Sequence, residues 1–115
     1  MHPEGIYKEA LRAAEAAVKA EVTKLKAAFP SVHYDHHGAC GFAWVTVKPA
    51  RGPFVAWCKS QVSREFGHKA YDGGWQFWSP GYNGQCLSTK ELAAVAFCAV
   101  LVKHGLKATV GSRLD

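Results

Sequence analysis

Between Glu4 and Phe29, apolar side chains recur at Tyr7, Leu11, Ala14, Val18, Val22, Leu25 and Phe29, in steps of three and four, with lysines, Arg12 and glutamates between them. That spacing predicts one long amphipathic helix. A high alanine content and the Glu15 to Lys19 pair favour it locally, and Pro30 closes it. Ser31–Asp35 then alternates as a short strand, and HHGACG reads as a turn. Phe42–Val47 is apolar on both faces and predicts a strand central in a sheet. Gly52 and Pro53 open a second helix, in which Phe54, Trp57, Cys58 and Val62 share a face, and Gly67 ends it.

Lys69–Ser79 predicts a third strand, interrupted early by Gly73 and Gly74. After the loop SPGYNG, the residues Ser88–Glu91 have the form of a capping box for a last helix, and its all-round apolar run LAAVAFCAVLV predicts full burial. Lys103, His104 and Gly105 end that helix, and LKATV alternates as a final strand.

The predicted order, α-β-β-α-β-α-β, contains no strict βαβ repeat. It predicts an α+β fold with a four-stranded, mostly antiparallel sheet and helices on one face. At 115 residues the chain has room for one domain, spanning positions 1–115. A helix from Glu4 to Phe29 would run to roughly 39 Å, whereas a compact domain of this size is about 35 Å across. Its apolar stripe therefore outruns its own core, which predicts a homo-oligomer formed through the N-terminal helix.

With 49% hydrophobic and 20% charged residues, the composition lies far from that of disordered chains. No signal-like apolar segment opens the sequence, and the longest apolar run, Leu92–Val102, falls short of a membrane span. A cytoplasmic protein without a membrane partner is expected. The four cysteines, Cys40, Cys58, Cys86 and Cys98, form no C-x-x-C pair and read as reduced thiols. The formal charge of +5 is concentrated in the middle of the chain, where Lys48, Arg51, Lys59, Arg64 and Lys69 face Glu65 alone. That excess makes an anionic partner plausible.

The stretches CGFAWVTVKPARGPF and GGWQFW, the final apolar helix and the terminal SRLD together resemble a family of small proteins of tailed bacteriophages, over about Tyr34 to Asp115. The resemblance implies a phage protein acting in the cytoplasm of an infected bacterial host. It supplies no settled activity and no catalytic residues.

The segment Tyr71–Gln85 packs five aromatic rings among four glycines and a proline. Strand alternation puts Trp75 and Phe77 on one face, suited to a core, and Gln76 and Trp78 on the other. An exposed Trp78, with Tyr82, would suit stacking on a nucleobase, and Arg51, Lys59, Arg64 and Lys69 would suit its phosphates. The leading expectation is thus a phage accessory protein that binds a nucleotide-type ligand or single-stranded nucleic acid. The same rings would equally fill a core or an interface between subunits.

Arg51 at the start of the second helix is a candidate anion site, but no P-loop or dinucleotide fingerprint is present, and an ordinary helix start explains the segment as well. His33, His36, His37 and Cys40 fit no zinc spacing, so no metal is expected. Tyr71, Tyr82 and His68 are weak candidates for proton transfer. They support a rival reading, a small oligomeric enzyme with a pocket shared between subunits and NAD(P) as a candidate cofactor. A third reading is a protein that binds a host factor. No catalytic signature decides whether the chain is an enzyme.

Overall fold

The computed structural model describes residues 2–28 and 39–115. The strand expected over Ser31–Asp35, together with Phe29 and Pro30 at the helix end, lies outside the described residues. The chain runs through α1 (Pro3–Ala28), β1 (Gly41–Val47), α2 (Pro53–Ser60), a 3-10 turn (Arg64–Phe66), β2 (His68–Lys69), β3 (Trp75–Trp78), α3 (Leu87–Lys103) and β4 (Ala108–Leu114). The strands form one antiparallel sheet ordered β2-β3-β1-β4. The α+β fold expected from the sequence is the fold observed. From β1 onward the connectivity is β-α-β-β-α-β with β1 and β3 in the centre, the split βαβ arrangement.

A sheet buries every second residue of a strand on a given face. Ala43, Val45 and Val47 of β1, with Trp75 and Phe77 of β3, meet the helices and are buried. Against them pack Phe54 and Cys58 of α2, Ala94, Phe97 and Leu101 of α3, and Ile6, Tyr7, Ala10 and Ala14 of α1. Tyr7 sits where these layers converge. Its ring centroid lies 4.8 Å from that of Phe66, 5.8 Å from Trp57, 6.1 Å from Phe97 and 6.4 Å from Phe77. Its hydroxyl donates to the Glu65 carbonyl at 3.1 Å. At the periphery Glu9 of α1 accepts from Lys103 Nζ at 2.6 Å and pairs with His104 Nε2 at 2.9 Å, tying α1 to the end of α3. The buried residues of α1 end at Ala14, and Val22 and Leu25 farther along remain half-exposed.

Four local expectations need correction. Lys69–Ser79 forms two strands rather than one. Gly73 takes a positive φ of 95°, Asp72 Oδ1 accepts from the Gly74 N–H at 3.4 Å, and the Ala70 N–H reaches the Gly74 carbonyl at 2.6 Å, so the chain reverses into a hairpin. The second helix stops at Ser60, well before Gly67. The Ser60 hydroxyl and Gln61 side chain bond the Trp57 carbonyl at 2.6 and 3.4 Å, competing with the next turn, and Gln61 is extended. Val62, assigned from spacing to the apolar face, is fully exposed, and Gly67 ends the 3-10 turn instead.

The capping box does not form. α3 begins at Leu87 with Cys86 in the cap position and no side-chain cap bond, and Glu91 accepts from the Ser112 hydroxyl of β4 at 2.6 Å rather than turning back to the helix start. Nor is α3 buried all round: Leu92 is 42%, Val95 57% and Val102 52% exposed. The helix lies over β1 and β4, and because β4 is the edge strand, no further layer among the described residues covers the outer side.

Phe77 joins α1, α2 and α3 through rings 6.4 Å from Tyr7, 6.2 Å from Phe54 and 5.1 Å from Phe97. Phe77→Ala should cost about 3–5 kcal/mol. A urea titration followed by tryptophan fluorescence checks this, and an unchanged midpoint would contradict the central placement of that ring.

Candidate functional site

The residues of β1 out of phase with the core, Phe42 and Trp44, stand on the sheet face away from the helices. The register places Trp44 opposite Trp78 of β3 and Phe42 opposite Arg113 of β4 on that same face. The three rings touch in series. Phe42 meets Trp78 edge to face at 5.6 Å, and Trp44 meets Trp78 at 5.1 Å with planes 42° apart. Trp78 is 41% exposed, and Phe42 and Trp44 are half-buried. Three adjacent large rings left partly open on one sheet face form an apolar patch, and such patches mark contact surfaces.

Small neighbours hold the rings in place. Gly111 of β4 lies directly beneath Trp44, where any Cβ would overlap the indole. The indole therefore lies on bare backbone, and glycine is required by the close approach. Beside the pair, Gln76 Nε2 donates to Thr46 Oγ1 at 3.4 Å, which puts amide and hydroxyl groups next to the rings. Positive charge borders the strip at Phe42. The Arg113 guanidinium carbon lies 5.4 Å and Lys90 Nζ 5.1 Å from the ring centroid, both within cation-π reach. The Lys90 amine is also fixed, donating to the Gly41 carbonyl at 2.7 Å.

Beside Trp78 the strip borders a cleft of about 420 Å³ between α1, the 3-10 turn and the loop after β3. Trp78 forms part of its wall, with Tyr7, Glu15, Arg64, His68 and Tyr82 among the others. The loop is seated tightly on the helix, since a Cβ at Gly81, whose φ is 77°, would strike Ala14 of α1. The cleft is mixed in charge, lined by Arg64 as well as by Glu15 and Glu65. Burial, and secondarily the nearby Glu65 carboxylate, pushes the Tyr7 phenol up to about 12.

The predicted site residues separate in space. Trp78 is exposed on the open face, as alternation required, and Trp75 and Phe77 are core. Tyr82 is buried at 7% exposure and joins the core cluster, so it is not part of the open strip, although it lines the cleft. Arg64 and His68 also line the cleft. Lys59 donates to the Ala50 carbonyl at 3.1 Å and lies 5.7 Å from the Trp75 ring, away from Trp78. Lys69 is opposite Trp75 in register, and Arg51 is exposed ahead of α2. These three cations are not gathered around the rings. Tyr71 is fully exposed in the hairpin turn and does not converge with His68 and Tyr82.

Phe42, Trp44 and Arg113 were not singled out from the sequence. A signal was there: in FAWVTV two rings occupy alternate positions out of phase with Ala43, Val45 and Val47. Among the described residues no group of three or more His, Cys, Asp or Glu side chains is placed to hold a metal ion, and His33, His36 and His37 lie outside them. No helix among the described residues is long and apolar enough to cross a membrane. No family model, curated protein or solved structure matches this chain.

The Tyr7 shift has a defined pH signature. The unfolded phenol ionises near its ordinary value of 10.0 and the folded one near about 12. Stability is therefore intact below pH 10 and declines as pH rises through the interval to 12, because the unfolded chain releases the proton first. Denaturant midpoints measured across that interval should fall less steeply for Tyr7→Phe than for the parent chain. Equal slopes would place the phenol in water.

Proposed function

We propose that the protein binds single-stranded nucleic acid, or a nucleotide-type ligand, on the open face of its sheet. The observation that carries this reading is the contiguous strip of Phe42, Trp44 and Trp78 on the two central strands, on the face that the helices leave open. Bases offer flat faces to such rings, and stacking contributes about 1–3 kcal/mol per base. Arg113 and Lys90 beside Phe42, and Arg64 in the cleft beside Trp78, supply positive charge for the nucleic-acid backbone. A four-stranded sheet with aromatics on its central strands is also a general platform for splayed, unpaired bases, an analogy of architecture that adds to the reading without carrying it. With the sequence resemblance to tailed-phage proteins, we infer that the protein is an accessory protein of an infected bacterial cell.

A second reading rests on the cleft. His68 and Tyr82 both line it next to Trp78, so a mononucleotide or NAD(P) could enter there, as an oxidoreductase would require. Incubation with NADPH and a panel of carbonyl compounds, followed at the cofactor absorbance, tests that reading directly.

The stacking proposal is tested with oligo-dT and oligo-U by quenching of tryptophan fluorescence over a range of salt. Trp78→Ala should weaken binding roughly ten- to hundredfold. Arg113→Ala should reduce the salt slope by about one. Arg12→Ala, an exposed change on α1, should do neither. Absence of binding at low salt, or equal losses in all three variants, would refute the reading.

We also propose self-association through the outer half of α1, where Val22 and Leu25 stay half-exposed. Sedimentation equilibrium should then show an oligomer that Val22→Glu converts to a monomer. If Val95→Glu on α3 does so instead, the interface lies on the exposed stripe of α3. A parent chain that is monomeric at high concentration would exclude both.

A further inference from the structure

Cys40 and Cys86 stand directly opposite each other in an isolated antiparallel bridge that joins the segment before β1 to the start of α3. The kind of bridge matters. The Gly41 N–H donates to the Gln85 carbonyl at 3.3 Å and the Leu87 N–H to the Ala39 carbonyl at 2.9 Å. These bonds flank the cysteines on both sides, which makes Cys40 and Cys86 a non-hydrogen-bonded pair. In such pairs the Cα atoms approach to about 4.5 Å, with both side chains on one side of the ladder. A disulfide spans Cα separations of about 4.4–6.8 Å, so the backbone already holds these residues within bridging range.

The two thiols have different surroundings. Cys40 is exposed, lies 3.8 Å from Gln85 Oε1 and lines a small cleft of about 240 Å³ beside Phe42 and Lys90. Cys86 is buried in the cap position of α3, a 17-residue helix whose positive end favours a thiolate. Its sulfur is 3.2 Å from the Ser88 hydroxyl. Burial acts to raise its pKa, but hydrogen bonds from the Ser88 hydroxyl, the Thr89 backbone N–H and hydroxyl, and the Ser88 N–H together outweigh it and hold the thiol below its ordinary value. Cys58 and Cys98 contrast with it. Both are buried among apolar side chains, and burial pushes Cys58 up to about 12 and Cys98 upward as well. Nothing in their setting favours reaction.

We propose that Cys40 and Cys86 form a reversible dithiol–disulfide site, oxidised by exchange with a low-molecular-weight disulfide of the glutathione type. The exposed Cys40 thiol loses its proton and attacks one sulfur of the small disulfide. The first small thiol leaves with a proton, and a mixed disulfide remains on Cys40. The Cys86 thiolate then attacks the Cys40 sulfur and expels the second small thiol. In the balance, two protein thiols and one small disulfide become one protein disulfide and two small thiols. The bond would staple the chain just before β1 to the start of α3, beside the Phe42 end of the aromatic strip. The site does not depend on any ligand of that strip.

The test is equilibration of the full chain in buffers of oxidised and reduced glutathione, followed by acid quenching, alkylation and non-reducing peptide mapping. A Cys40–Cys86 linked peptide should accumulate, with loss of two hydrogens from the intact mass, and disappear on added reductant. Cys86→Ser should stop at the glutathionylated Cys40. Cys40→Ser should give neither the link nor the adduct, and Cys58 and Cys98 should be alkylated in every sample. A parent chain that remains glutathionylated at Cys40 without an internal link, or that links Cys58 or Cys98, would overturn the assignment.

Discussion

A β-strand presents its side chains alternately to two faces, and in β1 this rule governs both the core and the site. Ala43, Val45 and Val47 are needed beneath the helices, and once they point there, Phe42 and Trp44 must point away. Shifting the register by one residue would bury the rings and expose the valines, so the pairing of β1 with β3 and β4 is strongly specified. The aromatic surface is a geometric consequence of the same contacts that stabilise the domain. A change that weakens the core therefore also disturbs the open face.

The rings are not simply left on the surface. Trp44 lies over Gly111, Trp78 bridges Trp44 and Phe42, and cations at Phe42 close the far end. Packed against backbone and against one another, these side chains have fewer rotamers open to them than isolated surface rings would. A preorganised surface loses less entropy on binding than a mobile one. The same close contact accounts for glycine at position 111, which local propensity alone would not favour inside a strand.

Much of the fold was legible in the sequence because its strongest periodicities are long. The step of three and four in α1, the apolar β1 and the apolar α3 all appear where expected. What was not legible depended on contacts distant in sequence or on competing local hydrogen bonds. The end of α2 is set by Ser60 and Gln61 taking the Trp57 carbonyl, and the capping-box glutamate is drawn to Ser112 on β4. For the site, alternation correctly exposed Trp78, but membership of the strip required the register of three strands. Basic residues were judged by nearness in sequence, and that criterion favoured Arg51, Lys59 and Lys69 over Arg113, which reaches the rings only through the pairing of β4 with β1.

The packing of α1 against α3 joins opposite ends of the chain: Glu9 and His104 are 95 positions apart in sequence. Because α1 precedes α3 in the sequence, its apolar side stays without that partner during synthesis until α3 has also been made. Completion of the core thus depends on contacts of high sequence separation, which are slow to form compared with local ones.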